Sequence, residues 1–362
     1  MKVSIALYPF SSSLLPTVRY FDQLQNQYTL DKLYSLPGSG LIGKDAGYAC
    51  NHPPIGRIVS GEIDINDAGW NTLIVAMPQG EKSEIGNHIY TQIRRVLVTG
   101  KSVVFCGDCG LSISKKMQVL KHQYSNELLI LPENPLFSKS TMFYERYRQV
   151  EVPVILIGGL IESSDTLEVL LGIIAELRKR QLYPSAIVKD PVGRLFGLHS
   201  YDSIFTTGTT EIQKIEALNR FALAVVREER PNVILVEAPD AVMRFNEIAP
   251  NGFGIQTYLL TQALRIDYFV CCVPLELLMP PLLEAFSKDF SVRLGSPIHA
   301  VQVSNVIGDS AEILQQHAVS YAHTTLDHVQ EKIEQEKTIS MFPLFDVMRD
   351  GGEGLVKYLG LC

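Results

Sequence analysis

Val152-Pro153-Val154-Ile155-Leu156-Ile157-Gly158-Gly159-Leu160-Ile161-Glu162-Ser163-Ser164-Asp165-Thr166 is the stretch on which the fold turns. Its first six residues are apolar and rich in β-branched side chains, and a glycine pair bounds them. That pattern predicts a strand buried on both faces of a parallel sheet. Beyond the loop, Leu167, Leu170, Leu171, Ile174 and Leu177 fall on one face of an expected helix. Arg178, Lys179 and Arg180 close the last turn, where cations complement the helix dipole. Strand, glycine-led loop and helix make the layout of a phosphate-binding loop, in which main-chain N–H groups hold an anion.

A complete phosphate loop runs Gly, four residues, Gly-Lys-Ser/Thr. Counted from Gly159, Ser164 stands at the second glycine, Asp165 at the lysine, and only Thr166 fits. Two like unit charges ~4 Å apart at an effective dielectric of ~20 repel by about 4 kcal/mol, so Asp165 opposes a phosphate. Glu162 adds a second negative charge. One reading is a former nucleotide site without its cation. The plainer reading is a strand-to-helix turn with Ser164 or Asp165 as N-cap.

In open α/β sheets ligands bind beyond the carboxyl ends of the strands. In the second half of the chain those ends carry Gly158, Gly159, Glu162, Ser163, Ser164, Asp165 and Thr166, then Lys189 and Asp190, then Glu237 and Asp240. Together these residues outline one expected crevice for a nucleotide or other ligand. An acidic residue ending a buried strand, as Glu237 does, is where nucleotide hydrolases hold magnesium; a solvated strand-end charge is the plainer reading. Further strands are expected at Ser185–Lys189, Val233–Glu237, Tyr268–Val273 and Ile298–Val303. Helices are expected at Glu211–Glu229, Ile255–Leu264 and Glu276–Phe286, with a helical end at roughly Ser310–Glu336, broken near Thr324-Thr325, and Pro343–Tyr358.

The first half alternates in the same way. Strands are expected at residues 2–7, Leu30–Leu36, Thr72–Met77, Ser102–Cys106 and Leu128–Leu131. Helices follow from about Pro16, at Glu84–Thr99 and at Leu111–His122. The fold class is therefore α/β, with two open, mostly parallel sheets. Residues 1–150 form a Rossmann-like domain. Residues 151–362 form a P-loop NTPase-like domain with a degenerate phosphate loop and a helical C-terminus.

Pro37–Tyr48 contains four glycines, which marks backbone at positive φ or in close approach. Gly43, Lys44, Asp45, Gly47 and Tyr48 are a candidate partner or ligand loop, against the alternative of a surface turn. His199 is the histidine best placed for the crevice and joins that candidate set. The other histidines lack metal spacing, and no metal site is expected. Cys106-Gly107-Asp108-Cys109 is a redox pair, half of a metal site, or two thiols in a turn; no second ligand pair accompanies it. No nucleophile elbow or triad pattern occurs, so no catalytic residue is assigned.

With 46% hydrophobic and 20% charged residues over 362 positions, the composition is that of a soluble globular chain of about two domains. A net charge of -7 with no basic run argues against nucleic acid. No apolar stretch approaches the ~18–20 residues of a membrane span. Met1–Pro9 is too short in its apolar part for a signal peptide and is expected to be a first strand. Six scattered cysteines suit reduced thiols in a cytoplasm.

Several stretches, in order along nearly the whole chain, carry a family resemblance. They are Tyr8-Pro9-Phe10, Leu41-Ile42-Gly43-Lys44-Asp45-Ala46-Gly47-Tyr48, Gly159-Leu160 with Glu162, Leu195-Phe196-Gly197-Leu198-His199-Ser200, Asn251-Gly252-Phe253-Gly254 and Val303-Ser304-Asn305. Through them the chain resembles the clostridial peptide-maturation-system proteins found with radical SAM maturases of ribosomally made peptides. That family's second half looks like the P-loop fold of dethiobiotin-synthetase-like proteins. The resemblance implies an accessory or scaffold protein in maturation of a ribosomally synthesised peptide natural product, with a radical SAM maturase and a precursor peptide as partners and a degenerate nucleotide-binding site. The alternative is an active ATP- or GTP-dependent enzyme, with magnesium, in which Lys44 or Lys189 supplies the missing charge. The family's loop tends to carry a lysine near its end. Aligned from Gly159 and Glu162 that lysine falls at Thr166, and by strict count at Asp165; neither is a lysine.

Overall fold

The buried apolar runs become strands of two all-parallel sheets, seen in a computed structural model that describes residues 2–25, 27–77, 83–107, 110–131, 147–162, 165–201, 204–205, 209–316, 319–338 and 340–361. The chain groups into two compact units, Met1–Pro132 with Asp190–Gly197, and Glu133–Lys189 with Leu198–Cys362. The excursion Asp190–Gly197, expected in the second half, thus belongs with the first unit.

The first unit holds β1 (Val3–Tyr8), β2 (Tyr28–Tyr34), β3 (Val59–Ser60), β4 (Thr72–Ala76), β5 (Ser102–Cys106) and β6 (Leu128–Ile130). They lie in the order β3-β2-β1-β4-β5-β6, which reverses direction between β1 and β4 as in doubly wound dinucleotide folds. Helices α1 (Leu15–Leu24), α2 (Ser83–Val98) and α3 (Gly110–Gln123) connect strands. Buried Tyr8, Trp70, Val75, Ile93 and Phe105 build the core on one face. The turn from β1 to α1 is Pro9-Phe10-Ser11-Ser12-Ser13-Leu14. It has no glycine fingerprint, so the unit shares the topology of a dinucleotide fold without its phosphate loop.

The second unit is built on β7 (Val154–Gly159), buried at every residue. Then come α4 (Thr166–Lys179), β8 (Pro184–Val188), β9 (His199–Ser200), α5 (Glu211–Glu229), β10 (Val233–Glu237), α6 (Ile255–Ala263), β11 (Tyr268–Pro274), α7 (Pro280–Arg293) and β12 (Ala300–Ser304). The chain ends with β13 (Val306–Gly308), α8 (Ser310–Gln316), β14 (Tyr321–His323), α9 (Leu326–Glu336), β15 (Leu344–Phe345), α10 (Val347–Asp350) and α11 (Glu353–Tyr358). The sheet order is β15-β12-β11-β7-β10-β8-β9. The strand read from sequence as central is central, with Ile157 opposite Glu237 of β10 and Gly159 opposite Cys272 of β11.

The end of the chain departs from the expected helices. The break expected near Thr324-Thr325 is there, but it holds a strand that was not expected, Tyr321–His323, paired antiparallel with Val306–Gly308. Leu344–Phe345 adds a parallel edge strand to β12 where Pro343–Tyr358 was expected to be helical. Both segments are too short to show a period-two pattern.

Helix α4 is buried from Thr166 through Leu177. Its surface is mostly apolar, as in a helix covered on both sides, though Glu168 and Glu176 are buried within it. The sheet lies on one side; α10 and α11 contact the other. At that contact a Cβ on Gly352, which has φ +93°, would lie 3.1 Å from the main-chain carbon of Gly172. Glycine there lets two backbones touch.

Candidate functional site

Gly158 is explained by packing before any ligand is invoked. A Cβ on Gly158 would sit 2.6 Å from Cγ1 of Val242. The Val242 N–H donates to the Gly159 carbonyl at 3.0 Å, and the Leu160 N–H donates to the Cys272 carbonyl at 3.1 Å. Sheet bonding therefore runs one residue past β7, and the segment after β10 lies against the strand end. Ile161 is buried and Glu162 exposed. Ser163 and Ser164 lie outside the described residues.

Thr166 opens α4, and its Oγ1 donates to Oε1 of Glu237 at 2.8 Å. Glu237 ends β10 and is 0% exposed. Its Oε2 accepts the Lys189 main-chain N–H at 3.0 Å. The Lys189 Nζ lies 3.9 Å from Glu237 Oε1 and donates to the Glu162 carbonyl at 2.8 Å. A lysine from the end of β8 thus reaches across β10 to the loop that has none of its own. Burying a carboxylate costs several kcal/mol unless it is paired and hydrogen-bonded, and Glu237 has a hydroxyl, an amide and an ammonium around it. Asp165 is half-buried at the N-cap of α4 and makes no side-chain cap bond. The Cys272 thiol lies among these groups. Burial pushes its pKa well up, Asp165 and Glu237 push the same way, and Lys189 opposes them.

Of the residues expected in one crevice, Gly158, Gly159, Glu162, Asp165, Thr166, Lys189 and Glu237 come together. Asp240 does other work. It accepts from the Thr257 N–H at 2.8 Å, the Thr257 hydroxyl at 2.6 Å and the Gln256 N–H at 3.1 Å, capping the first turn of α6. Burial raises its pKa against those donors. Asp190 groups with the first unit and caps the turn Pro191–Phe196 through the Val192 N–H at 2.9 Å. His199 stays on the face of the sheet. Its Nε2 lies 2.7 Å from Glu229 Oε1, its ring meets Phe221 edge-on, and Ser185 also donates to Glu229.

Two contributors escaped the sequence reading. Tyr201, buried, donates its hydroxyl to the Glu237 carbonyl at 2.5 Å; its place in the Leu195–Ser200 neighbourhood was the only signal. Gly252, Phe253 and Gly254 run consecutively left-handed, at φ 71°, 63° and 72°. A Cβ on Gly254 would lie 2.6 Å from the Val242 carbonyl oxygen, so this turn braces the segment that covers Gly158.

In the first unit, the Gly43–Tyr48 loop is a folded knot. The Asp45 carboxylate accepts from the N–H groups of Gly47, Ile55, Gly56 and Arg57 at 2.8, 2.9, 2.8 and 3.0 Å. Burial raises its pKa, but the four N–H donors outweigh that and hold it below the usual carboxylate value. Gly47 is needed because a Cβ would meet the Pro53 carbonyl oxygen at 2.3 Å. Lys44 Nζ stacks 3.8 Å over the ring of Tyr48, which is 58% exposed. Asp45 and Gly47 therefore hold the loop, and Lys44 with Tyr48 forms its outer surface. Cys106 is buried, donates its thiol to the Pro191 carbonyl at 2.8 Å, and has its pKa pushed up by that burial. It is a packed thiol, not a low-pKa redox group. Cys109 lies outside the described residues. Among the described residues no group of three or more His, Cys, Asp or Glu side chains is arranged to hold a metal ion, and no helix is long and apolar enough to cross a membrane.

No family model and no curated protein matches the chain. Among solved structures, a DUF1611 family protein from Anabaena variabilis superposes with a TM-score of 0.62 at 11% identity, covering 100% of both chains. That likeness extends the two-domain α/β fold over the full length. The signal recognition particle 54 kDa protein of Aeropyrum pernix, solved with GDP, matches at 9% identity over 71% of this chain and 66% of that one, with a TM-score of 0.29. Chloroplast FtsY of Physcomitrella patens matches at 13% over 62% and 74%, with a TM-score of 0.27. At those scores neither bears on the fold.

Proposed function

We propose that this chain is an accessory protein of ribosomal-peptide maturation whose second unit binds a nucleoside phosphate, ATP or GTP, at the end of β7. The observation that carries the nucleotide part is the reach of Lys189. Its ammonium bonds the Glu162 carbonyl inside the loop and neighbours Glu237, returning a cation to a phosphate loop whose lysine is replaced by Asp165. Thr166 and Glu237 keep the hydroxyl and carboxylate of a nucleotide hydrolase in contact. Binding without turnover is the expected behaviour, because Asp165 stands where the transferring phosphate needs positive charge. The maturation role rests on the family-like segments, including the Gly43–Tyr48 knot with its Lys44–Tyr48 face.

Calorimetric titration of the purified chain with ATP and GTP tests the first part. Micromolar binding that is lost in Lys189→Ala in magnesium-free buffer supports it; silence toward both removes it. Phosphate release above background would favour the alternative, an active enzyme with Lys189 as its cation. Co-purification with the maturase and precursor peptide tests the second part, and recovery of neither removes it.

A further inference from the structure

In nucleotide hydrolases of this fold a magnesium ion is held between the loop Ser/Thr and the acidic strand end. Magnesium demands near-octahedral oxygen ligation, through one or two carboxylates plus substrate phosphates and water. The residues here do not suit it. Thr166 turns its proton onto Glu237 Oε1 at 2.8 Å. Glu237 Oε2 accepts the Lys189 N–H at 3.0 Å. The Lys189 ammonium stands 3.9 Å from Oε1, anchored by the Glu162 carbonyl at 2.8 Å. Glu237 is 0% exposed, and its negative charge is already met by the ammonium of Lys189, a side chain that keeps partial contact with solvent. A divalent ion would have to enter beside an ammonium of like sign, at an oxygen already hydrogen-bonded.

We infer that Lys189 stands in for the divalent cation, so that the phosphate ligand of this site is held without magnesium. This rests on the nucleotide reading above. An ammonium and a hydrated divalent ion differ in one decisive respect: the lysine's charge is fixed by the chain and needs no free metal. A phosphate oxygen approaching the loop would meet Nζ directly as a charge-assisted hydrogen-bond donor. Glu237 then serves to orient that ammonium.

The test is a pair of titrations of the full chain with ATP and with GTP, one in millimolar magnesium and one in excess EDTA, joined by a manganese titration followed by electron paramagnetic resonance. The expected result is affinity equal within about twofold in the two buffers and no manganese bound by the nucleotide-free protein. Lys189→Met, which keeps the length and removes the charge, is expected to bind nucleotide only in magnesium. Wild-type affinity at least about tenfold higher in magnesium than in EDTA, or stoichiometric manganese binding, would overturn the inference and leave the nucleotide reading standing. A Lys189→Met chain that binds equally in both buffers would also overturn it. Absence of binding in both buffers would overturn the nucleotide reading, and this inference with it.

Discussion

The Thr166 hydroxyl and the Glu237 carboxylate, 71 residues apart in sequence, meet at 2.8 Å in the interior of the second unit. The contact joins the first residue of α4 to the last of β10 and fixes where the helix begins relative to the sheet. Replacing Glu237 by Ala leaves the Thr166 hydroxyl, the Lys189 N–H and an ammonium short of their acceptor. The expected cost is about 2–4 kcal/mol, or a fall of roughly 5–10 °C in melting temperature. Glu237→Gln retains an acceptor and should lose less than half as much. Thermal unfolding of the two variants beside wild type checks the ordering.

Asp45 contributes through its four main-chain donors. Asp45→Ala should destabilise the first unit by about 1–3 kcal/mol at neutral pH, a figure kept small because the group is partly solvated. Its folded-state pKa is depressed, so the stabilisation is full above the unfolded value of ~3.9 and is lost as pH falls through the folded one. Urea unfolding at about pH 7 should separate variant from wild type. Near pH 2 the two curves should approach each other.

Asp346 behaves in the opposite sense. It is 7% exposed, and burial pushes its pKa up to about 6 against the first-turn N–H groups of α10. A carboxyl group with a raised folded pKa costs stability as pH rises from ~4 through about 6, because the unfolded chain ionises first. Asp346→Asn keeps the shape and removes the charge. It should raise stability by about 1–3 kcal/mol at pH ~7.5 and change little near pH ~4. Equal gains at both pH values would show that the carboxylate's charge is not what costs the fold.

Two glycines separate conformation from contact. Gly43 has φ +80° and open space where a Cβ would go, whereas Gly254 has φ +72° with the Val242 carbonyl oxygen only 2.6 Å from that point. Gly43→Ala should cost about 1–2 kcal/mol, the left-handed term alone. Gly254→Ala should cost about 2–4 kcal/mol, since the segment over Gly158 must also move. Denaturant midpoints of the two variants measure the difference.

The central strand was legible because β7 is buried on both faces and leaves an unbroken apolar run, and its helix because one apolar face repeats at helical spacing; that α4 is covered on its other side too was not legible. The doubly wound first sheet was legible for the same reason at β4 and β5. Lys189 could be named as a candidate at a strand end, but its reach to Glu162 depends on β10 lying between β8 and β7, which no local pattern encodes. Asp45 looked like a binding residue because its acceptors' partners, Ile55 to Arg57, are ten to twelve positions on. His199 and Asp240 were drawn into the crevice by sequence proximity to strand ends. The side-chain direction of one and the helix-capping role of the other take them out of it. The edge strands Val59–Ser60, His199–Ser200 and Leu344–Phe345 were lost because two residues cannot display an alternation.

The touching backbones of Gly172 and Gly352 bear on how the last dozen residues seat. A side chain at position 352 would press on the main chain of α4 at Gly172 and Ile173, so the seating of α11 against that helix depends on a residue with nothing beyond its Cα.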